Sequence, residues 1–166
     1  MKTRLYLIFL CLILSSQSWA LSLSAIEMNG FEKTVIDATH LRFESKENSK
    51  LVVHVQVDES EKIWTEKNLK QDVTENFEAR KKVYETFSFS DVTLDHYKLS
   101  EIESHQRLKL LGSYKNPSKV KVYFIEDNIY YPHKFMQIKI LKEGAKISDG
   151  EAETIFKNIP VAKMEI

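Results

Sequence analysis

The chain has 166 residues, 43% of them apolar, with nine phenylalanines, seven tyrosines and two tryptophans, which is enough for one packed core in a chain of single-domain length. Lysine plus arginine and aspartate plus glutamate each total 24, so bulk charge points to neither a polyanion nor a polycation as partner, and no nucleic acid is expected. Only four glycines occur, and none forms a P-loop, a dinucleotide fingerprint or a nucleophile elbow.

In chain order, residues 1–20 have the make-up of a cleaved secretory signal peptide. Lys2 and Arg4 form a charged start, Leu5 to Leu14 an apolar run, and Ser18-Trp19-Ala20 a cleavage site. Ten apolar residues rising ~1.5 Å each cover about half of a ~30 Å bilayer core, too little for a retained anchor. Cys11 is the only cysteine, and Leu10 before it is too bulky for a lipoprotein cleavage site. The mature chain, from Leu21, then has no disulfide, no thiolate nucleophile and no Cys-type zinc site. It keeps 22 basic against 24 acidic residues once Lys2 and Arg4 are removed. The expected location is the periplasm or the exterior, with no transmembrane segment in the mature form. The blocked sequon Asn116-Pro117-Ser118 fits a bacterial envelope.

Gly30 marks a turn, and Thr34 to Ile36 a short strand. His40 to Glu44 and Leu51 to Val57 alternate apolar and polar residues around the polar Ser45 to Lys50, a hairpin. Thr65 to Phe87 is a long helix: Leu69, Val73, Phe77, Arg80, Tyr84 and Phe87 recur at spacings of three and four, with Thr65 as N-cap. Trp64 is placed to pack on Leu69 as a hydrophobic staple, a structural role and not a ligand platform. Val92 to Leu99 suggests another strand.

From His105 to Leu141 three segments alternate as a β-meander. Leu108 and Leu110, then Val120, Val122 and Phe124, then Met136, Ile138 and Ile140 form an apolar face; Arg107, Lys109, Lys119, Lys121 and Tyr123 oppose it. Asp127-Asn128 reads as a tight turn, and the change of parity before Met136 calls for a bulge at Pro132 or His133. Ser148 with Glu151 matches a capping box for a closing helix through Ile159, with Ala152, Ile155, Phe156 and Ile159 as its buried stripe and Pro160 as its end. The expectation is one α+β domain, residues 21–166, with a mostly antiparallel sheet of about six strands, a long helix after the first hairpin and a C-terminal helix.

This order resembles the PsbP-like fold, which also occurs in bacterial envelope proteins of the DcrB type. The residues that carry the likeness are Lys119 to Glu126, Asp127-Asn128, Ile129 to Tyr131 and Ile155-Phe156-Lys157-Asn158-Ile159. The early proline-glycine-tryptophan segment associated with that family has no counterpart here. The resemblance implies a non-catalytic envelope protein and carries over no binding residue.

Two groups of residues are candidates for a site. Arg107, Lys109, Lys115, Lys119 and Lys121 fall between Glu103 and Glu126 with no acid among them. Alternation puts Arg107, Lys109, Lys119 and Lys121 on one face with Tyr123 and Lys139, able to hold phosphate, anionic lipid or an acidic partner; the plainer reading is the solvated side of a one-faced sheet. The bulge makes Tyr130, Tyr131 and His133 candidates for a small ligand pocket. His105, Glu103 and His96 fit no compact zinc pattern, so no metal site and no cofactor are expected. These readings point first to an exported, non-enzymatic envelope protein that binds a protein or an anionic partner. A carrier of a small apolar or anionic ligand comes second, and a hydrolase without a recognisable motif third.

Overall fold

A computed structural model of the protein describes residues 23–102 and 105–159, apart from the side chains of residues 74 and 76. The leader, with Cys11 and the Ala20 cleavage site, lies outside the described residues, as do Glu103 and Pro160. Seven strands form one sheet: β1 (Phe31–Asp37), β2 (His40–Ser45), β3 (Leu51–Glu59), β4 (Ser90–Ile102), β5 (His105–Lys115), β6 (Lys121–Tyr131) and β7 (Lys134–Glu143). Their spatial order is β1-β2-β3-β7-β6-β5-β4, and every neighbouring pair is antiparallel. Helix α1 (Glu66–Thr86) crosses between β3 and β4, and α2 (Asp149–Asn158) closes the described chain. The α+β class, the antiparallel sheet and both helices are those expected from the sequence. The seventh strand is β1, an extended version of the short strand expected at Thr34 to Ile36.

Local signals explain the helix ends. The Thr65 side chain accepts from the Asn68 backbone while the Asn68 side chain accepts from the Thr65 backbone, so two of the helix's orphan N–H groups are satisfied reciprocally. Ser148 caps α2 by accepting from the Glu151 N–H. The Glu151 carboxylate turns instead to Lys142 on β7, at 2.7 Å, and ties the helix to the sheet.

Both faces of the sheet are covered, which corrects the expectation of one apolar and one wet face. The back face packs Leu41, Phe43, Val53, Val55, Ile125, Met136, Ile138 and Ile140 against Ala152 and Ile155 of α2 and against Leu23, Ile26 and Met28 of the N-terminal segment. The front face packs Leu108, Leu110, Tyr114, Val122 and Phe124 against Val73, Phe77 and Tyr84 of α1. Helix α1 covers β4–β6 and reaches β7 at Lys139, which donates to Tyr84. On the other half of the front, His40, Arg42, Glu44, His54, Gln56 and Asp58 are half-buried, without a covering helix among the described residues.

The meander's register is also corrected. β6 runs unbroken from Lys121 to Tyr131, through Asp127 and Asn128, and turns at Pro132-His133, where Tyr131 pairs with Lys134. His133 has φ 64°, the positive φ that the third position of a proline-led turn demands. No bulge interrupts β6 against β7: Met136, Ile138 and Ile140 lie opposite Ile129, Asp127 and Ile125, on the back face, and so never shared a face with Phe124. The register shifts lie elsewhere: in β1 between Val35 and Asp37, and in β4 between Ser90 and Thr93 and between Leu94 and His96, beside Gly112. A Cβ on Gly112 would lie 2.1 Å from the Thr93 carbonyl oxygen and 2.5 Å from the Phe124 ring, so only glycine admits β4 so closely.

Candidate functional site

The register disperses the expected cation face. Arg107 and Lys109 do point to the back, as does Lys121. However, Lys109 sits opposite Asp127, while Lys121 sits opposite Lys115, six residues further along β6, roughly 20 Å away at ~3.3 Å per residue. Asp127 is 1% exposed and takes a two-pronged contact from Arg107, Nε donating to Oδ1 at 2.8 Å and Nη2 to Oδ2. Lys109 lies over the Phe156 ring at 5.2 Å. Lys119 stands in the β5–β6 connection with φ 63°, and Lys121 lies over Tyr123. At that tip the Asp91 carboxyl is held below its ordinary value, chiefly by the hydrogen bond from Lys115 and its charge, with Lys119 and Lys121 adding to it. Lys139 is on the front face, apart from the other cations.

Of the second candidate group, Tyr131 points to the back, where His105 lies against it with ring centroids 4.6 Å apart. His133 is in the hairpin turn. Tyr130 points to the front, and there the molecule does have a cavity. No group of three or more His, Cys, Asp or Glu side chains placed to hold a metal ion occurs among the described residues.

The cavity has a volume of about 270 Å³ and lies between the middle of α1 and the front of the sheet. Leu108 and Leu110 of β5, with Asn128 and Gln137, form its floor; Val73, Phe77 and Arg80 form the helical wall. Trp64, just before α1, rests on Tyr130 with centroids 4.6 Å apart, and Tyr130 stacks on Phe135 at 6.0 Å. These three rings make an aromatic mouth. Trp64 is fixed there by its Nε1 donating to Ser60 Oγ at 3.2 Å and by Lys62 over its ring at 4.4 Å. It therefore stands at the cavity as a wall residue, a place the staple reading did not give it. An apolar lining with a few convergent polar groups is the usual form of a small-ligand site.

One of those polar groups, Arg80, belongs to a buried charge network. Glu126, 1% exposed, accepts from Arg80 Nη1 at 2.6 Å and from Lys139 Nζ at 2.7 Å. Burial pushes the Glu126 carboxyl up, but Lys139 and Arg80 together outweigh it and hold the group below its ordinary value. Lys139 also donates to the Tyr84 hydroxyl at 3.0 Å, and Glu126 keeps it charged against the opposing pull of burial. On the floor, Gln137 donates to Asn128 Oδ1 at 2.8 Å, and Asn128 donates to the Leu108 carbonyl. Burial pushes the Tyr130 hydroxyl up to about 12, so it stays protonated. Nothing in the linear pattern marked Glu126, Asn128 or Gln137 as site residues. Arg80 alone left a signal, a cation in the otherwise apolar stripe of α1.

Neither a protein-family model nor a curated protein matches the chain. Solved structures do. One is a cyanobacterial PsbP, CyanoP from Synechocystis sp. PCC 6803, with a TM-score of 0.57 and 13% identity over 80% of each chain. Another is the protein of unknown function PA94 from Pseudomonas aeruginosa, with a TM-score of 0.53 and 10% identity over 83% of this chain and 96% of that one. At such identity the likeness is one of fold, and the fold is the PsbP-like one.

Proposed function

We propose that this protein is an exported, non-enzymatic binding domain that carries a small, largely apolar ligand in the cavity between α1 and the sheet. The observation that carries this reading is the cavity itself: about 270 Å³, framed by Trp64, Tyr130 and Phe135 and floored by leucines, on the front face between α1 and the sheet. An apolar cavity of ~150 Å³ holds a benzene ring, so this one has room for a ring with a short chain or for a folded aliphatic chain. Docking of an acidic macromolecule on the basic strands has less support, because Arg107 is paired with Asp127 and the lysines lie at separate ends of the strands. Export is supported by the leader's make-up: a charged start at Lys2 and Arg4, an apolar run from Leu5 to Leu14 and a cleavage site at Ser18-Trp19-Ala20.

The test is titration with a neutral apolar fluorophore such as N-phenylnaphthylamine. Wild type should bind it saturably, one per chain, with quenching of Trp64 that a Trp64→Phe control removes. Leu94→Trp, which fills the cavity from β4, should weaken binding about tenfold or more, the cost of excluding an apolar ring. Non-saturable binding, or equal affinity in the filled variant, would remove the cavity reading.

A further inference from the structure

The charges around the cavity do not balance. Glu126 is shared by two cations, yet Lys139 by itself neutralises it. Lys139 is only 18% exposed, it donates to both Glu126 and Tyr84, and the Tyr84 and Phe124 rings lie near its ammonium at 5.7 and 5.8 Å. Arg80 is therefore the surplus charge. Only its Nη1 donates to a protein acceptor among the described residues; its side chain is 37% exposed and lines the cavity. The acid in the described lining, Asp72, is already engaged by Lys62 at 2.7 Å. Gln137 uses a single amide bond, to Asn128, and has hydrogen-bonding capacity left on the floor below Arg80.

We infer that the ligand is an apolar monoanion: its carboxylate or equivalent acidic head pairs with the free edge of the Arg80 guanidinium, and its body lies along Trp64, Tyr130 and Phe135. This rests on the cavity being the ligand site. A guanidinium edge presents parallel N–H groups at the spacing of two carboxylate oxygens, and such charge-assisted pairs are about twice as strong as neutral hydrogen bonds. Partial burial strengthens the pair further, because fewer waters compete for the charge. The aromatic mouth accepts either an aliphatic or an aromatic body, so a medium-chain fatty acid and an arylalkanoic acid share the recognised chemistry.

The experiment is calorimetric titration of the intact protein with decanoate and decanol, and in parallel with 3-phenylpropionate and 3-phenylpropanol. In at least one pair the acid should bind about tenfold or more tightly than its alcohol; the pair with the tighter acid identifies the body as aliphatic or aromatic. Arg80→Gln should bring the acid down to the affinity of the alcohol and leave the alcohol unchanged. Should that variant fail to fold, Asp72→Asn, which leaves the Glu126 network intact, should tighten the acid several-fold and leave the alcohol unchanged. Acid and alcohol binding alike in both pairs, with N-phenylnaphthylamine still bound, would overturn the anion and spare the cavity. Failure of all four compounds and of the fluorophore would overturn both.

Discussion

The two faces of this sheet are built from the same strands and differ in how they are closed. On the back, Phe43, Val53, Val55, Met136 and Ile140 are fully buried, and α2 and the N-terminal segment seal them. On the front, α1 covers the β4–β7 side through Phe77 and Tyr84, the first only partly buried and the second bonded to Lys139, and leaves a cavity beside a charged network. The contrast teaches a division of labour. A close-packed apolar face supplies stability, whereas a gap with a buried carboxylate and two cations adds little net stability for its desolvation cost. Such a gap is readily explained by what it can bind.

That contrast can be broken by removing one ring from each face. Phe43→Ala should cost about 3–5 kcal/mol, the usual loss for a buried ring. Phe77→Ala, at the wall of a cavity, should cost less, about 1–2 kcal/mol, because part of its surface already lacks neighbours. Urea melts of both variants measure the difference; equal losses would mean that the front is packed as tightly as the back.

The network gives the next effect. Glu126→Ala leaves Arg80 and Lys139 without their shared carboxylate, and should cost about 3–4 kcal/mol, whereas replacing a buried network by apolar groups would be near neutral. Accordingly Glu126→Leu combined with Lys139→Met should recover most of the loss, measured again by urea melts. No recovery would show that the network stabilises the front on balance.

A further effect is on pH dependence. His54, on the uncovered half of the front, is pushed down to about 4, first by burial and then by the charges of His40, Arg42 and Lys139; its Nδ1 lies 2.8 Å from His40 Nε2. The folded protein thus keeps His54 neutral while the unfolded chain takes up its proton near the ordinary value of ~6.5. More protons are bound by the unfolded state between those values, so stability falls as pH drops from about 6.5 towards 4. With partial exposure discounted, the loss is about 2 kcal/mol. Melts of His54→Gln should be flatter across that window. Below it Glu126, whose value is lowered in the fold, adds a further acid loss.

The sequence disclosed what depends on local chemistry: both helix N-caps, the α1 stripe from Leu69 to Tyr84 and the β2–β3 hairpin, whereas Phe87, expected to extend the stripe, lies just past the helix and is exposed. It misled where a residue's usual preference was overridden by a distant partner. Asp127-Asn128 has turn composition, yet Asp127 is held mid-strand by Arg107, and Asn128 by Leu108 and Gln137. Once that turn was placed wrongly, Ile125 and Ile129 could not be seen as a second apolar face, and the front-face network was invisible. Arg80, Glu126 and Lys139 are far apart in the chain, and no spacing rule joins them. The tip of the β6–β7 hairpin is marked in the sequence by Pro132, which cannot donate to a ladder inside a sheet.

The most direct test of the account is amide and side-chain NMR of the protein titrated with the tighter-binding acid. Shifts should concentrate at the Trp64 indole N–H, the Asn128 and Gln137 side-chain amides and the Arg80 guanidinium, while Val53, Val55 and Ile140 on the back stay unmoved. Shifts centred instead on Lys109 and Phe156, or on the Lys115–Lys121 tip, would place the site elsewhere and contradict the account.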